Sequence, residues 1–186
     1  MRITGGRLVG RILQIPKGPR IRSTQDQVRQ ALFNLLGERA EGAWVLDLFC
    51  GSGAVGIEAL SRGAAHVTFV DRSGFCIEAA RKNLALLCAG KTPLAYDLIR
   101  ADAVPAIGRL ARAGKTFDLI FLDPPYGRGL ATKSLNALGA CAIVLNSGWV
   151  IVEQDKRDPV PQEVPGLLMQ RIERYGDTAL VIYTRQ

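Results

Sequence analysis

Histidine is nearly absent from this sequence: His66 stands alone among 186 residues. The four cysteines, Cys50, Cys76, Cys88 and Cys141, are 26, 12 and 53 residues apart, so there is no C-x-x-C pair. Structural zinc needs clustered thiolate and imidazole ligands, and this supply argues against any metal site. Scattered cysteines without partners read as reduced, buried thiols of a reducing compartment. His66, isolated at the start of a strand, reads as a surface residue rather than a catalyst. No apolar run reaches the roughly 18 residues of a membrane span. The opening "MRITGGRLVGRILQIPKG" lacks the apolar core of a secretion signal, so a soluble cytoplasmic protein is expected. Internal repeats and low-complexity tracts are missing as well.

What is present suits one globular domain with a small appendage: 48% of residues are hydrophobic and 22% charged. The charge is unevenly spread. Residues 1–29 carry seven bases (Arg2, Arg7, Arg11, Lys17, Arg20, Arg22, Arg29) and one acid (Asp26), whereas residues 30–186 carry 17 bases and 16 acids. Nearly all of the net +7 therefore sits on an N-terminal segment. Such a segment suits a polyanion such as nucleic acid, and charge alone serves a solvated arm equally well.

Residues 1–38 read as a basic extension: a small β-hairpin through "RITGGRLVGRILQI", a loop, and a helix through "STQDQVRQALFNLLG". Thr24 to Gln27 fits a capping box, Val28, Ala31, Leu32 and Leu35 have helical spacing, and Gly37 is a stop signal. From residue 39 to 186, strands and helices alternate. Strands are expected at Trp44 to Phe49, His66 to Asp71, Tyr96 to Arg100, Phe117 to Leu122 and Gly148 to Gln154. Helices are expected at Ala54 to Arg62, Gly74 to Leu87, after Asp102, and at Leu130 to Ala140. The pattern then changes to two strands joined by a tight turn at Tyr175-Gly176-Asp177. This predicts an α/β, Rossmann-like, mostly parallel sheet of seven strands with an antiparallel C-terminal pair. Ligands of such sheets bind beyond the carboxyl ends of the strands.

"VLDLFCGSGAVGIEAL" is strand, glycine turn and helix. Gly51-x-Gly53-x-x-Gly56 matches the dinucleotide fingerprint, and Asp71 follows about 20 residues later at the end of the second strand, placed to accept from ribose hydroxyls. Two ligand classes compete: a nicotinamide dinucleotide with an anionic pyrophosphate, and S-adenosylmethionine with an ammonium and a sulfonium. Asp47 favours the second. It lies inside the first strand, four residues before Gly51, where a carboxylate can meet an ammonium and does nothing for a pyrophosphate. Phe49 and Ser52 belong to the same loop. Asp102 could accept from the adenine amino group or serve as a helix N-cap.

"FDLIFLDPPYGRG" ends the fourth strand with an acid, two prolines and an aromatic ring. The exocyclic amino group of a nucleobase is a poor nucleophile because its lone pair is delocalised. Two acceptors, the Asp123 side chain and the Pro124 carbonyl, could hold its N–H bonds and favour a more tetrahedral nitrogen. Pro124 and Pro125 stiffen the segment, and Tyr126 offers a stacking face worth about 1–3 kcal/mol. No strong general base is needed.

D-P-P-Y in this position resembles the catalytic motif of amino-methyltransferases acting on adenine N6, cytosine N4 or guanine N2, and "VLDLFCGSG" resembles their S-adenosylmethionine motif. With the opening "MRITGGRLVGRILQIPKGPRIRSTQDQVRQALFNLL", the chain resembles, over nearly its whole length, the bacterial 16S ribosomal RNA guanine-N2 methyltransferases. The resemblance implies that Asp47, Phe49, Gly51, Ser52, Gly53, Asp71 and Asp102 hold the cofactor and Asp123 to Tyr126 the base. It also implies 16S RNA, within the assembling small subunit, as the partner of Arg2, Arg7, Arg11, Lys17, Arg22 and Arg29. Ser23 departs from it, standing where proline is expected. Three other readings stay open. Adenine-N6 methylation of DNA or RNA lacks, for DNA, a target-recognition domain. A dinucleotide oxidoreductase is opposed by Asp47. A non-catalytic assembly factor is opposed by an intact D-P-P-Y beside an intact glycine loop.

Overall fold

The computed structural model describes residues 1–15, 26–88, 94–155, 157 and 160–186. Lys17, Arg22 and the capping-box residue Thr24 lie outside the described residues. Strands β1 (Trp44–Leu48), β2 (His66–Asp71), β3 (Tyr96–Arg100), β4 (Phe117–Leu122) and β5 (Val144–Asp155) form a parallel sheet. β6 (Glu163–Val164), β7 (Leu167–Tyr175) and β8 (Thr178–Arg185) join it antiparallel, in the order β3-β2-β1-β4-β5-β8-β7-β6. The sheet has eight strands, one more than the sequence predicts. The addition is two-residue β6, too short to leave a periodic signal. β5 starts at Val144, ahead of the expected Gly148, because its pairing with β4 shifts register between Phe117 and Leu119.

The helices α1 (Asp26–Leu36), α2 (Ala54–Ser61), α3 (Gly74–Cys88), α4 (Ala103–Arg112) and α5 (Leu130–Gly139) cover the sheet. Alternate residues of each strand feed two cores. Val45, Phe69, Leu119 and Phe121 pack with α1, α2 and α3, while Leu46, Val70, Ile120 and Leu122 pack with α4 and α5. Burial on both faces explains why these strands read as continuous apolar runs. α1 stops where Gly37 takes φ +55°. β1 lies between β2 and β4, so the chain reverses direction across the sheet there, and a crevice opens beyond the carboxyl ends of β1 and β4.

The N-terminal residues close into a hairpin with a single antiparallel bridge, Arg2 to Ile12, and a 3-10 turn at Gly6–Leu8 in place of two strands. Ile3 and Leu13 are buried in the core shared with α1, α2 and α3. The hairpin is fastened to α2 by polar contacts. Thr4 donates from its backbone N–H (2.9 Å) and its hydroxyl (2.7 Å) to Glu58, and Ser61 donates to the Gly5 carbonyl at 2.6 Å. Arg29 requires a correction. The sequence predicts an RNA contact, but its side chain is fully buried, pairs with equally buried Glu58 at 3.2 Å, and donates to the Arg2 carbonyl. Its charge holds the hairpin down and does not face solvent.

The cysteine expectation holds in part: Cys50 is buried, whereas Cys76 and Cys141 are half-buried. His66 stacks on Trp44 at 4.7 Å and lies 3.4 Å from Asp97, at the amino ends of the strands. Among the described residues no cluster of metal-binding side chains exists, and no helix is long and apolar enough to cross a membrane.

Candidate active site

The turn after β1 is built from left-handed backbone. Phe49 takes φ +64°, Gly51 +55° and Gly53 +81°. A non-glycine residue in that region costs about 1–3 kcal/mol and marks a geometry imposed by its surroundings. Gly56 meets a different demand. A Cβ there would lie 2.3 Å from the Phe69 ring, so only glycine lets α2 pack this closely on β2. The Gly51 position has no heavy atom within 4 Å of where a Cβ would stand, leaving open space above the turn.

Asp47 is buried below this turn and accepts the Gly56 N–H at 2.9 Å. Burial pushes its carboxyl up to about 7, opposed by the Gly56 hydrogen bond and reinforced by the charges of Asp123 and Asp71. β1 lies between β2 and β4, with Leu48 paired to both Val70 and Leu122, so Asp47, Asp71 and Asp123 come from neighbouring strand ends. Asp71 spans the glycine turn and the following loop: one oxygen accepts from Gly51 N–H at 3.0 Å, the other from Ser73 N–H at 2.8 Å. Asp102, at the N-cap position of α4 just beyond the carboxyl end of β3, is exposed and makes no side-chain cap.

The donor set fits S-adenosylmethionine and opposes a dinucleotide. A carboxylate whose charged form is disfavoured by burial, and further by neighbouring like charges, is stabilised by a cation, and the ammonium and sulfonium supply one. A pyrophosphate would add negative charge to three carboxylates.

D-P-P-Y follows β4 directly. Asp123 and Tyr126 are half-buried, Pro124 is buried and Pro125 exposed. Pro124, Pro125 and Tyr126 line a narrow cleft with Thr132 at the start of α5 and Gln154 at the end of β5. Arg2, Arg7 and Arg11 are exposed on the N-terminal hairpin. Of the three, Arg2 donates to the Gly10 carbonyl at 2.9 Å.

Sequence reasoning does not reach Asn83, Glu58 or Gln154. Each is a lone polar residue in a helix or strand, without a local pattern. Asn83, on α3, is buried and joins two functional segments. It accepts from Gln14 N–H at 2.8 Å and donates to the carbonyls of Gln14 and Ser52, both at 3.0 Å. The N-terminal segment and the glycine turn are thus fastened to one amide.

Comparison with known proteins agrees with this architecture. Residues 1–184 match the family model described as Conserved hypothetical protein 95. The chain is 37% identical to YlbH of Bacillus subtilis, provisionally named an rRNA methyltransferase, covering 100% of both chains. It is 34% identical to Ribosomal RNA small subunit methyltransferase D of Escherichia coli K12, covering 100% of this chain and 90% of that protein. A solved Escherichia coli structure, yhhF, provisionally named a methyltransferase, superposes with a TM-score of 0.83 at 32% identity, covering 100% of this chain and 98% of that one.

Proposed function

The chain belongs to the family described as Conserved hypothetical protein 95, and on that premise we propose that it methylates the exocyclic N2 amino group of one guanine in 16S ribosomal RNA of the small subunit. At the coarser level it is a Rossmann-like methyltransferase of small-subunit ribosomal RNA; one full-length relative is named Ribosomal RNA small subunit methyltransferase D and another, provisionally, an rRNA methyltransferase. The methyl donor is S-adenosylmethionine, which supplies an electrophilic methyl group on a sulfonium. The observation that carries the reading is the placement of Asp47, Asp71 and Asp123 on the adjacent ends of β1, β2 and β4, where Asp47 accepts from Gly56 and Asp71 from Gly51 of the glycine turn.

Asp47 receives the ammonium end, Asp71 the ribose, and Asp102 the adenine. Asp123 and the Pro124 carbonyl accept the two N–H bonds of the target amino group, drawing its lone pair out of the ring and toward the methyl carbon. Tyr126 fixes the plane of the base. Methyl transfer would form the N–C bond as the sulfonium's S–C bond breaks, its electron pair staying on sulfur as a neutral thioether; the nitrogen would become positive and lose one proton to Asp123 or to solvent. The catalysis is positioning and polarisation. Arg2, Arg7 and Arg11, with Lys17 and Arg22, contact RNA phosphates; the N-terminal extension is the RNA-binding part of the chain.

The test is transfer of label from S-adenosylmethionine to unmodified small subunits, naked 16S RNA and DNA, with nuclease digestion to locate it. Label on guanine N2 in one nucleotide supports the proposal. Label on adenine N6 or on DNA replaces the substrate. No transfer to any of them, with the cofactor bound, leaves a non-catalytic assembly factor.

A further inference from the structure

Gln154 lines the D-P-P-Y cleft and carries a buried acceptor that nothing in the described structure uses. It is 7% exposed, and its Oε1 is fully buried with no hydrogen-bond partner among the described residues. Orphaned acceptors of this kind are rare in proteins because desolvation without a donor is costly. The strands explain its position. Leu122 of β4 pairs with Val152 of β5, so two residues further on Gln154 comes beside Pro124, across the cleft. The cleft has a free volume of about 20 Å³, enough for one water-sized group. It therefore admits the edge of a ring and not the ring itself, which would lie against Tyr126.

We infer that Gln154 is a specificity-determining residue whose Oε1 accepts the N1–H of the target guanine, an inference that rests on the guanine-N2 reading above. The chemistry of the bases carries it. An amino-methyltransferase of this kind holds an amino group between two acceptors, and what flanks that group differs from base to base. Beside adenine N6 lie N1 and N7, both acceptors. Beside cytosine N4 lie the acceptor N3 and a C–H. Beside guanine N2 lie the acceptor N3 and the donor N1–H. A buried acceptor next to the amino-binding motif is satisfied by guanine alone. Adenine would leave Oε1 orphaned and set a second acceptor against it, and cytosine would offer it an acceptor or a C–H. Gln154 thus discriminates through the cost of an unpaired polar group, the strongest device available to a binding site.

The experiment uses small subunits assembled on RNA that carries either guanosine or 2-aminopurine riboside at the labelled position. The 2-aminopurine base keeps the amino group but has an acceptor at N1 in place of the donor. The parent protein should prefer guanosine in kcat/KM by at least tenfold. Gln154→Met, similar in length and without an acceptor, should lower kcat/KM for guanosine by at least tenfold. It should shrink the preference toward one and leave S-adenosylmethionine affinity unchanged. Thermal melting of the variant at or above the parent is expected, because an orphaned acceptor is removed. Equal preference in parent and variant overturns the inference while leaving guanine methylation standing. So does a parent that shows no preference, a result that needs no variant to fold. A parent that places no label on guanosine fails the functional reading itself.

Discussion

Arg29 on α1 and Glu58 on α2 form an ion pair of two fully buried side chains, 3.2 Å apart. Glu58 also accepts from Thr4 and, at 3.0 Å, from Arg62. One carboxylate therefore joins the N-terminal hairpin, α1 and α2. Glu58→Ala would leave the buried Arg29 guanidinium with only the solvent-exposed Asp26 carboxylate, 3.1 Å away, as counter-charge, at a cost of up to about 3–5 kcal/mol. Urea denaturation should show that loss, and limited proteolysis should cut the released hairpin first. A variant as stable as the parent would refute the clamp.

Asp47 makes a prediction about pH. Its folded carboxyl sits at about 7, against an ordinary value of 3.8, so the fold favours the protonated form. That stabilisation is complete below about pH 4. It declines as pH rises and is gone above about 7. Cofactor binding runs the other way, since an ammonium selects the carboxylate. S-adenosylmethionine affinity should climb as pH rises toward 7 and then level off. Calorimetry from pH 5.5 to 8.5 checks this, and Asp47→Asn should bind weakly with a flat profile.

Asp71 supports the glycine turn through Gly51 and, in the functional reading, binds ribose. Hydrogen bonds to a charged group contribute about 1.5–3 kcal/mol each, so Asp71→Ala should weaken S-adenosylmethionine binding tenfold or more. An unchanged dissociation constant by calorimetry would remove Asp71 from the cofactor site.

Asp123→Ala should abolish methyl transfer with cofactor affinity kept within a few-fold, because in the functional reading it holds the base. Tyr126→Phe should keep most activity, since the ring does the stacking, whereas Tyr126→Ala should lose it. Full turnover by Asp123→Ala in a saturating tritium-transfer assay would rule out the mechanism.

Exposed Arg2, Arg7 and Arg11 are the hairpin's described RNA candidates. Changing all three to Gln should weaken binding of unmodified small subunits and flatten the slope of log affinity against log salt by roughly 2–3 units. Cofactor affinity and thermal melting should match the parent. An identical salt slope by filter binding would return the hairpin to a solvated arm.

The sequence by itself determined most of the frame. Short, mostly apolar runs fix strands β1, β2 and β4, because strands buried on both faces must be largely apolar, whereas edge strand β3, YDLIR, is only partly buried. Gly51, Gly53 and Gly56 announce the ligand turn, since its backbone conformation and its close approach to Phe69 leave little else possible. Asp47 and Asp123 stand out because an acid in or at the end of a buried strand is costly unless it is used. What tertiary structure alone decided were partnerships between residues far apart in the chain. Charge counting assigns Arg29 to solvent with its neighbours; the fold buries it against Glu58, 29 residues away. Asn83 reaches back 69 residues to Gln14, and Gln154 comes to Pro124 only through the register of β4 and β5. Local sequence encodes propensity and period, which depend on nearest neighbours. Burial, ion pairing and the orphaning of a polar atom depend on which distant surfaces meet, and that is settled only when the sheet closes over its two cores.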